Sequence, residues 1–565
     1  MLGPKVLSTL SDKTASRIPV IITLKSDPRV TKVAPLAAVD RTHKGEARRL
    51  ARMRYLNWRK IRSAEQRKNL KQFLASRNVH KIKSLWHIDS LAAELPPDLV
   101  SELAARPEVL SIRYDRLVTP PPTPAPLAAT PSSNLLQVQV PELWNLGVTG
   151  QDVTVAIMDT GVDSSHPDLL PTYRGGDNSW FNAIAANDCP VGGINGCNFC
   201  DADASQPCDS DGHGTAVTGI LVGGSGSGQM IGVAPDAQWI ATKIFKSDGS
   251  ATPASTISQA FAWLLDPDGN PATDDAPDVL NASWGFDPSD GCLALFQAEI
   301  QTLRDAGIAV VFSAGNSGPS QGTDVSPANY TSSYAVGSVG DINSTTTISP
   351  FSSRGPSSCD GTIFPDVVAP GYQILTTGGL GGYTSVSGTS FATPHVSGIL
   401  ALLLGRGGFP HATVADLEDA LRFSATDLGP VGPDNNYGYG LVNAISAYHY
   451  LASVFSQRQL KILSPNGGGI LDGGTQVSVS WTPTDAAASY LVRYTTDNGS
   501  TWQTIAWAAS GTSVVWNVPN VATNQARIRI NARDTNGNYI GQDFSDGLFT
   551  IKQLPVIQTP NGGET

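Results

Sequence analysis

The rhythm of apolar and polar positions changes several times along the chain. Residues 18–25 (Ile-Pro-Val-Ile-Ile-Thr-Leu-Lys) form a short apolar run that predicts a strand. Residues 43–77 are rich in Arg, Ala, Leu, Lys and Gln, with no Gly or Pro after Gly45, and predict a long basic helix. Residues 79–95 predict one or two strands. Pro97 opens a short helix from Asp98 to Ala105, and Val109 to Tyr114 predict a last strand. Residues 117–133 are Pro-rich and read as an extended linker. Beyond it come nearly continuous β-branched runs, Val153–Met158 and Ala309–Ala314, as expected of strands buried on both faces of a parallel sheet. Apolar stretches at Ala216–Leu221 and Val396–Leu404 predict buried helices. After Val454 the period becomes two. Gln476–Trp481 and Ala526–Asn531 alternate, and Asp497-Asn498-Gly499 marks a hairpin turn, so residues 458–553 predict an all-β module. Its opening, Ile462-Leu-Ser-Pro-Asn-Gly-Gly-Gly469, is echoed by Ile557-Gln-Thr-Pro-Asn-Gly-Gly-Glu564, so residues 554–565 read as the start of a second, truncated repeat.

Length and charge sharpen this outline. The 565 residues exceed one hydrophobic core and imply several domains. The net charge of −11 hides an asymmetry. Residues 1–116 hold 24 Lys and Arg against 11 Asp and Glu; the rest holds 14 against 38. Oppositely charged parts of one chain favour docking of one on the other. No recognition motif accompanies the basic run, so a nucleic-acid partner is not expected. No apolar run is long enough to span a bilayer, and the first residues lack the apolar core of a secretory signal.

Four segments carry candidate chemistry. Gly388-Thr389-Ser390-Phe391-Ala392-Thr393-Pro394-His395 sets a serine among small residues at the start of an apolar helix. Pro394 is read as lying in the first turn, where its missing N–H has no intrahelical partner. A serine hydroxyl needs a base to become a nucleophile. His213, in Asp211-Gly212-His213-Gly214-Thr215, leads another apolar helix. Asp159 ends a buried strand, where open α/β sheets bind their ligands. Asn316, in Gly315-Asn316-Ser317-Gly318, brings an amide donor to a further strand end.

The order Asp159…Asn316…Ser390, with His213 after Asp159, resembles the subtilisin-like serine proteases. So do Asp159-Thr160-Gly161-Val162-Asp163 with Ser165-His166-Pro167-Asp168, Ile231–Pro235, Phe351–Pro356 and Pro365–Gly371. The resemblance covers residues 134–455. It implies an α/β catalytic domain there, a mostly parallel sheet with helices on both faces. Ser390 would attack, His213 move protons, Asp159 orient His213 and Asn316 steady the oxyanion. No cofactor is expected for catalysis. Ser283, Trp284 and Gly285 match the segment that pairs with substrate backbone, and Ser313, Ala314 and Gly315 match the opposite pocket wall. Neither wall has an acidic residue to select Lys or Arg, so broad endopeptidase activity before apolar or aromatic residues is expected.

The α+β order of residues 18–116 is similar to the subtilisin propeptide, an intramolecular chaperone and inhibitor, although its helix is longer. Cleavage is expected in or just before the 117–133 linker. Residues 458–553 resemble an immunoglobulin- or fibronectin-type sandwich, a spacer or an adhesion module. The expectation is a secreted, monomeric zymogen acting on proteins and peptides, whose export signal is missing from this sequence. The rival reading is a surface adhesin with a protease-like scaffold, which has no need of all four site residues.

The cysteines fall at Cys189, Cys197, Cys200, Cys208, Cys292 and Cys359. An even count and an exported setting favour disulfides, with Cys292 and Cys359 as a long-range pair. A zinc site beginning at Cys197-Asn-Phe-Cys200 is the alternative. Many subtilases hold structural calcium, and Asp168 matches one such ligand. Gly224–Met230, which should complete that site, lacks the family's asparagine, so the backbone would supply most oxygens.

Overall fold

The β-branched runs of the middle of the chain assemble into one sheet. In the computed structural model, residues 2–11, 16–25, 46–79, 81–118, 132–187, 199–202, 205–341, 344–457, 460–484, 487–533 and 539–555 are described. Seven parallel strands lie in the order Val367–Pro370, Tyr334–Val339, Ala309–Ser313, Val279–Ala282, Thr154–Asp159, Gln238–Lys243 and Trp180–Asn182. The chain order reverses direction beside Thr154–Asp159, the position where doubly wound sheets open a crevice at their carboxyl ends. Alternation along the strands divides the helices between two faces. Ala156, Met158, Leu280, Ala282, Val310 and Phe312 pack with the helices Ala254–Leu265 and Gln297–Asp305. Asn281, of opposite parity, bonds to the helix Thr389–Leu404 on the other face. That helix is buried along all its length, as its unbroken apolar sequence requires.

The N-terminal region forms an antiparallel sheet in the order Ile82–Leu85, Ser90–Leu95, Ile18–Leu24, Val109–Tyr114. The predicted basic helix spans Glu46–Ser76, and the shorter one Pro97–Ala104. Leu70 and Leu74 of the long helix pack on this sheet with Val20, Ile22, Leu99 and Leu103. Its earlier residues Tyr55 and Leu56 belong instead to the apolar cluster of the central sheet. One helix therefore serves two cores. A helix at Pro4–Ser11 was not predicted; its apolar stripe is too short to read, yet Val6 is fully buried.

The described residues up to 451, save 46–48, fall in one compact unit, and residues 46–48 with the described residues from 452 onward in another. Beyond the end of the helix Ala444–Gln457 the second unit is built of strands. A sheet of Ile462–Ser464, Gln476–Trp481 and Ser513–Asn517 faces a larger one built around Thr523–Arg533. Trp481, Trp516, Ile528, Ile530 and Phe549 fill the space between. Most of the expected linker (119–131) and of the expected second repeat (556–565) lies outside the described residues. No described helix is long and apolar enough to cross a membrane.

Cys292 is bonded to Cys359, as the sequence suggested, and Cys200 to Cys208. The second pairing corrects the zinc alternative, because Cys200 has no thiolate to offer a metal. Cys189 and Cys197 lie outside the described residues.

Candidate active site

Asp159 is the last residue of its strand and is fully buried. Its Oδ1 accepts the Thr160 N–H at 2.7 Å and the His213 Nδ1–H at 2.8 Å. His213 is the first residue of the helix His213–Val222, and Gly212 before it takes φ +97°, a conformation that glycine adopts freely. A residue that the sequence did not flag organises this turn. Asp209 Oδ1 accepts the N–H groups of Asp211 and Gly212, and Oδ2 accepts the Thr215 N–H and hydroxyl. The Thr160 hydroxyl also donates to it at 3.1 Å, tying the Asp159 strand to the His213 helix. The signal available was a carboxylate just before a helix start, where it meets free N–H groups.

Burial by itself would lower the His213 pKa. The charge and hydrogen bond of Asp159, with the charges of Asp211 and Asp209, outweigh it and leave the imidazole above its ordinary 6.5.

Ser390 is the second residue of its helix, which starts directly after Gly388 at φ +155°. Its hydroxyl donates to the Ser283 carbonyl at 3.3 Å, and the ring of Phe391 lies 5.4 Å from that of His213. The start of the Ser390 helix thus lies beside His213, with the serine hydroxyl turned to Ser283. Asn316 is exposed, and its Oδ1 accepts both the N–H and the hydroxyl of Thr389 at 2.9 and 2.8 Å. Two donors on Oδ1 fix the amide's orientation and leave Nδ2 as its outward donor.

Pro394 corrects an expectation. It is the sixth residue of the helix, beyond the first turn. Its missing N–H would have bonded the Ser390 carbonyl four residues earlier. That carbonyl instead accepts the Ser283 hydroxyl at 2.8 Å. Ser283 Oγ accepts from Asn281 Nδ2 at 3.0 Å, and Asn281 Oδ1 from the Ser397 hydroxyl at 2.9 Å. The bond removed by proline is replaced by a buried chain that ties the candidate nucleophile to the neighbouring strand. His395, next to Pro394, donates from Nδ1 to the Phe391 carbonyl, while its Nε2 accepts from Asn134. It is structural.

Among the expected cleft residues, Trp284 is buried among Phe245, Phe286, Phe296 and Phe312, so only its backbone is available to a substrate. Gly285 and Gly315 flank Val325; a Cβ on either would approach its methyls to 2.8–3.0 Å. Ser313 and Ala314 are buried at the end of their strand. Asp168 does not fit a cation here. Its carboxylate accepts the Gly226 N–H at 3.0 and 3.1 Å and the Tyr383 hydroxyl at 2.9 Å, so two donors occupy the place where a metal would need further oxygens.

The sequence pattern of the subtilase family matches residues 150–440. The chain belongs to that family. This subtilase is similar to bacillopeptidase F of Bacillus subtilis (strain 168), 39% identical over 333 residues, which are 56% of this chain and 22% of that protein. It thus spans about a fifth of that relative's length. It is 33% identical to subtilisin E of the same strain over 65% of this chain and 82% of the relative. The M-protease of Shouchella clausii (strain KSM-K16) is 32% identical over 64% and 79%. As a subtilase it is a serine endopeptidase.

The N-terminal region also pairs with the subtilase domain through its last strand. Leu117–Val118, just after the N-terminal sheet, pair antiparallel with Thr252–Pro253 of the subtilase domain. Ala254 donates its N–H to the Arg116 carbonyl, and Asp115 accepts the Ser255 N–H at 2.7 Å. Val118 enters the apolar cluster that holds Trp284 and Phe286.

Proposed function

We propose that the chain is a secreted zymogen, whose N-terminal domain latches the cleft until Ser390 cuts the connecting segment. Ser390 Oγ attacks the scissile carbonyl carbon while His213 Nε2 takes its proton. The Ser390 N–H and Asn316 Nδ2 hold the oxyanion of the tetrahedral intermediate. When that intermediate collapses, the C–N bond breaks and His213 protonates the leaving amine. Water then attacks the acyl-enzyme through the same base, releasing the acid and restoring Ser390. Asp159 orients the imidazole and stabilises its charged form. Substrates are proteins and peptides bound as added strands, with apolar or aromatic residues before the cut.

The observation that carries this reading is the 2.8 Å contact of His213 with Asp159 beside a serine at a helix start. The latch is supported by the strand pair at Thr252–Pro253, which ties the end of the N-terminal region to the subtilase domain, and by Val118 in the apolar cluster that holds Trp284. A fluorophosphonate probe is expected to label Ser390 in the wild type and to lose roughly 10^4-fold or more of its rate in Ser390→Ala or His213→Ala. N-terminal sequencing tests the latch. Wild type should start within 117–133 and Ser390→Ala at its original terminus. Identical termini in both would refute self-cleavage, and full labelling of His213→Ala would refute the base.

A further inference from the structure

We propose that Asp266, Asp268 and Asp275, with the Gly269 carbonyl, form a divalent-cation site, and that the Lys60 ammonium of the N-terminal helix fills it while that domain is docked. The site begins where the helix Ala254–Leu265 ends and returns toward the strand Val279–Ala282. One oxygen from each of the three carboxylates lies within 4.8 Å of the others. The loop's own hydrogen bonds hold these groups in place. Asp268 Oδ1 accepts the Asn270 N–H, Asp268 Oδ2 the Thr273 hydroxyl, and Asp275 Oδ2 the Asp268 N–H. These neutral donors shape the loop and leave its charge uncompensated.

Two further observations point to a cation. Asp266 is only 6% exposed, and its Oδ1 is buried with no hydrogen-bond partner among the described residues. A buried carboxylate oxygen is costly unless a positive group or donor reaches it. Lys60 Nζ is bound as an ion would be, by Asp266 Oδ2 and by the Gly269 carbonyl at 3.0 Å. One ammonium offsets one of three negative charges. The Arg174 guanidinium donates to the Asp275 backbone carbonyl, and its charge also acts on Asp275 and Asp268 without a bond to their carboxylates. Arg52 pairs with Asp274, outside the cluster. Carboxylate and carbonyl oxygens are the ligands of a hard ion, and calcium accepts the irregular geometry that magnesium refuses. The site is separate from the Asp168 position and needs no catalysis. Lys60 and the metal compete for the same oxygens, so each weakens the other's hold.

Terbium(III) is a suitable probe, because the Trp86 ring lies 5.2 Å from Lys60 Nζ and would sensitise its emission. The titration uses the full chain with Ser390→Ala, so that no cleavage intervenes and failure of the protease reading leaves the result intact. Adding Lys60→Met or Lys60→Gln should tighten terbium binding roughly tenfold by removing the competing charge. Calcium should displace the terbium, and Asp266→Asn with Asp268→Asn should abolish the signal. Unchanged affinity in both Lys60 variants would overturn the proposal, as would a signal that survives loss of both carboxylates.

Discussion

Ser390 and the docked N-terminal domain are held by opposite kinds of contact. Around Ser390 the bonds are neutral, buried and closed on themselves, running from Ser397 through Asn281 and Ser283 to the Ser390 carbonyl. Across the docking surface they include charged pairs nearer to water: Lys60 with Asp266 and Arg116 with Asp290. A neutral network in a dry interior fixes geometry and is expensive to open. Charged contacts at a rim choose a partner and can be screened, displaced or titrated. The molecule frames Ser390 with the first kind and reinforces the docking of its N-terminal domain with the second.

Each half of that contrast can be tested. The largest effect is expected at Asn316. Asn316→Ala should lower kcat about 10^2–10^3-fold with KM little changed, since its donor serves the oxyanion alone; a rise in KM with kcat intact would assign it to substrate binding. Next is Arg52, 3% exposed, which donates to Asp274 and to the carbonyls of Ala276 and Ala306. Arg52→Ala in a Ser390→Ala chain should weaken docking by about 3 kcal/mol. Hydrogen exchange along Glu46–Ser76 measures it, with the helix Thr389–Leu404 as the unaffected control. Ser283→Ala leaves the Ser390 carbonyl unpaired and should cost about 2 kcal/mol of stability. Pro394→Ala in the same chain returns the helical N–H, so the two losses should not add in a denaturation cycle.

The smallest effect is a pH dependence. His87 is fully buried at the docking surface, and its pKa is lowered to about 3 by burial and then by the charges of Arg59 and Arg67. The docked imidazole is thus neutral, and its contribution is complete above the ordinary 6.5. It is lost as pH falls from there toward 3, at about 1.4 kcal/mol per unit once the undocked histidine is charged. Its neighbour Ser258 donates to buried Glu299, whose pKa burial raises, so Glu299→Gln gives the cleaner background. Docking of that chain should loosen between pH 6.5 and 5, and His87→Gln should flatten the curve. His213 offers the opposite case, with its pKa raised, so the acid limb of kcat/KM should have its midpoint above 6.5.

Much of this was legible in the sequence because the chemistry sits where local pattern is strongest. Asp159 ends a β-branched run, and His213 and Ser390 begin apolar helices after glycines. The two oppositely charged parts announced a docking surface, though not its residues. What escaped depends on bonds between distant positions. Asp209 gathers donors from Thr160 to Thr215, a span no periodicity encodes. Pro394 looked like an N-terminal proline because the partner that excuses it, Ser283, lies 107 residues before Ser390, whose carbonyl it caps. Thr252–Pro253 is too short to read as a strand, and nothing in the local pattern sets Asp266, Asp268 and Asp275 apart.

The two-residue strand at Leu117–Val118 has a consequence in concentration. Under the proposed latch, this strand, while tethered to the domain it covers, competes with substrate at an effective concentration in the mM range, whatever the dilution of the protein. Two backbone pairs and one buried valine suffice at that level. After the tether is cut, the same few contacts face only the actual concentration of the released fragment. Dilution into a large volume would then switch the enzyme on, and crowding near its source would keep it off.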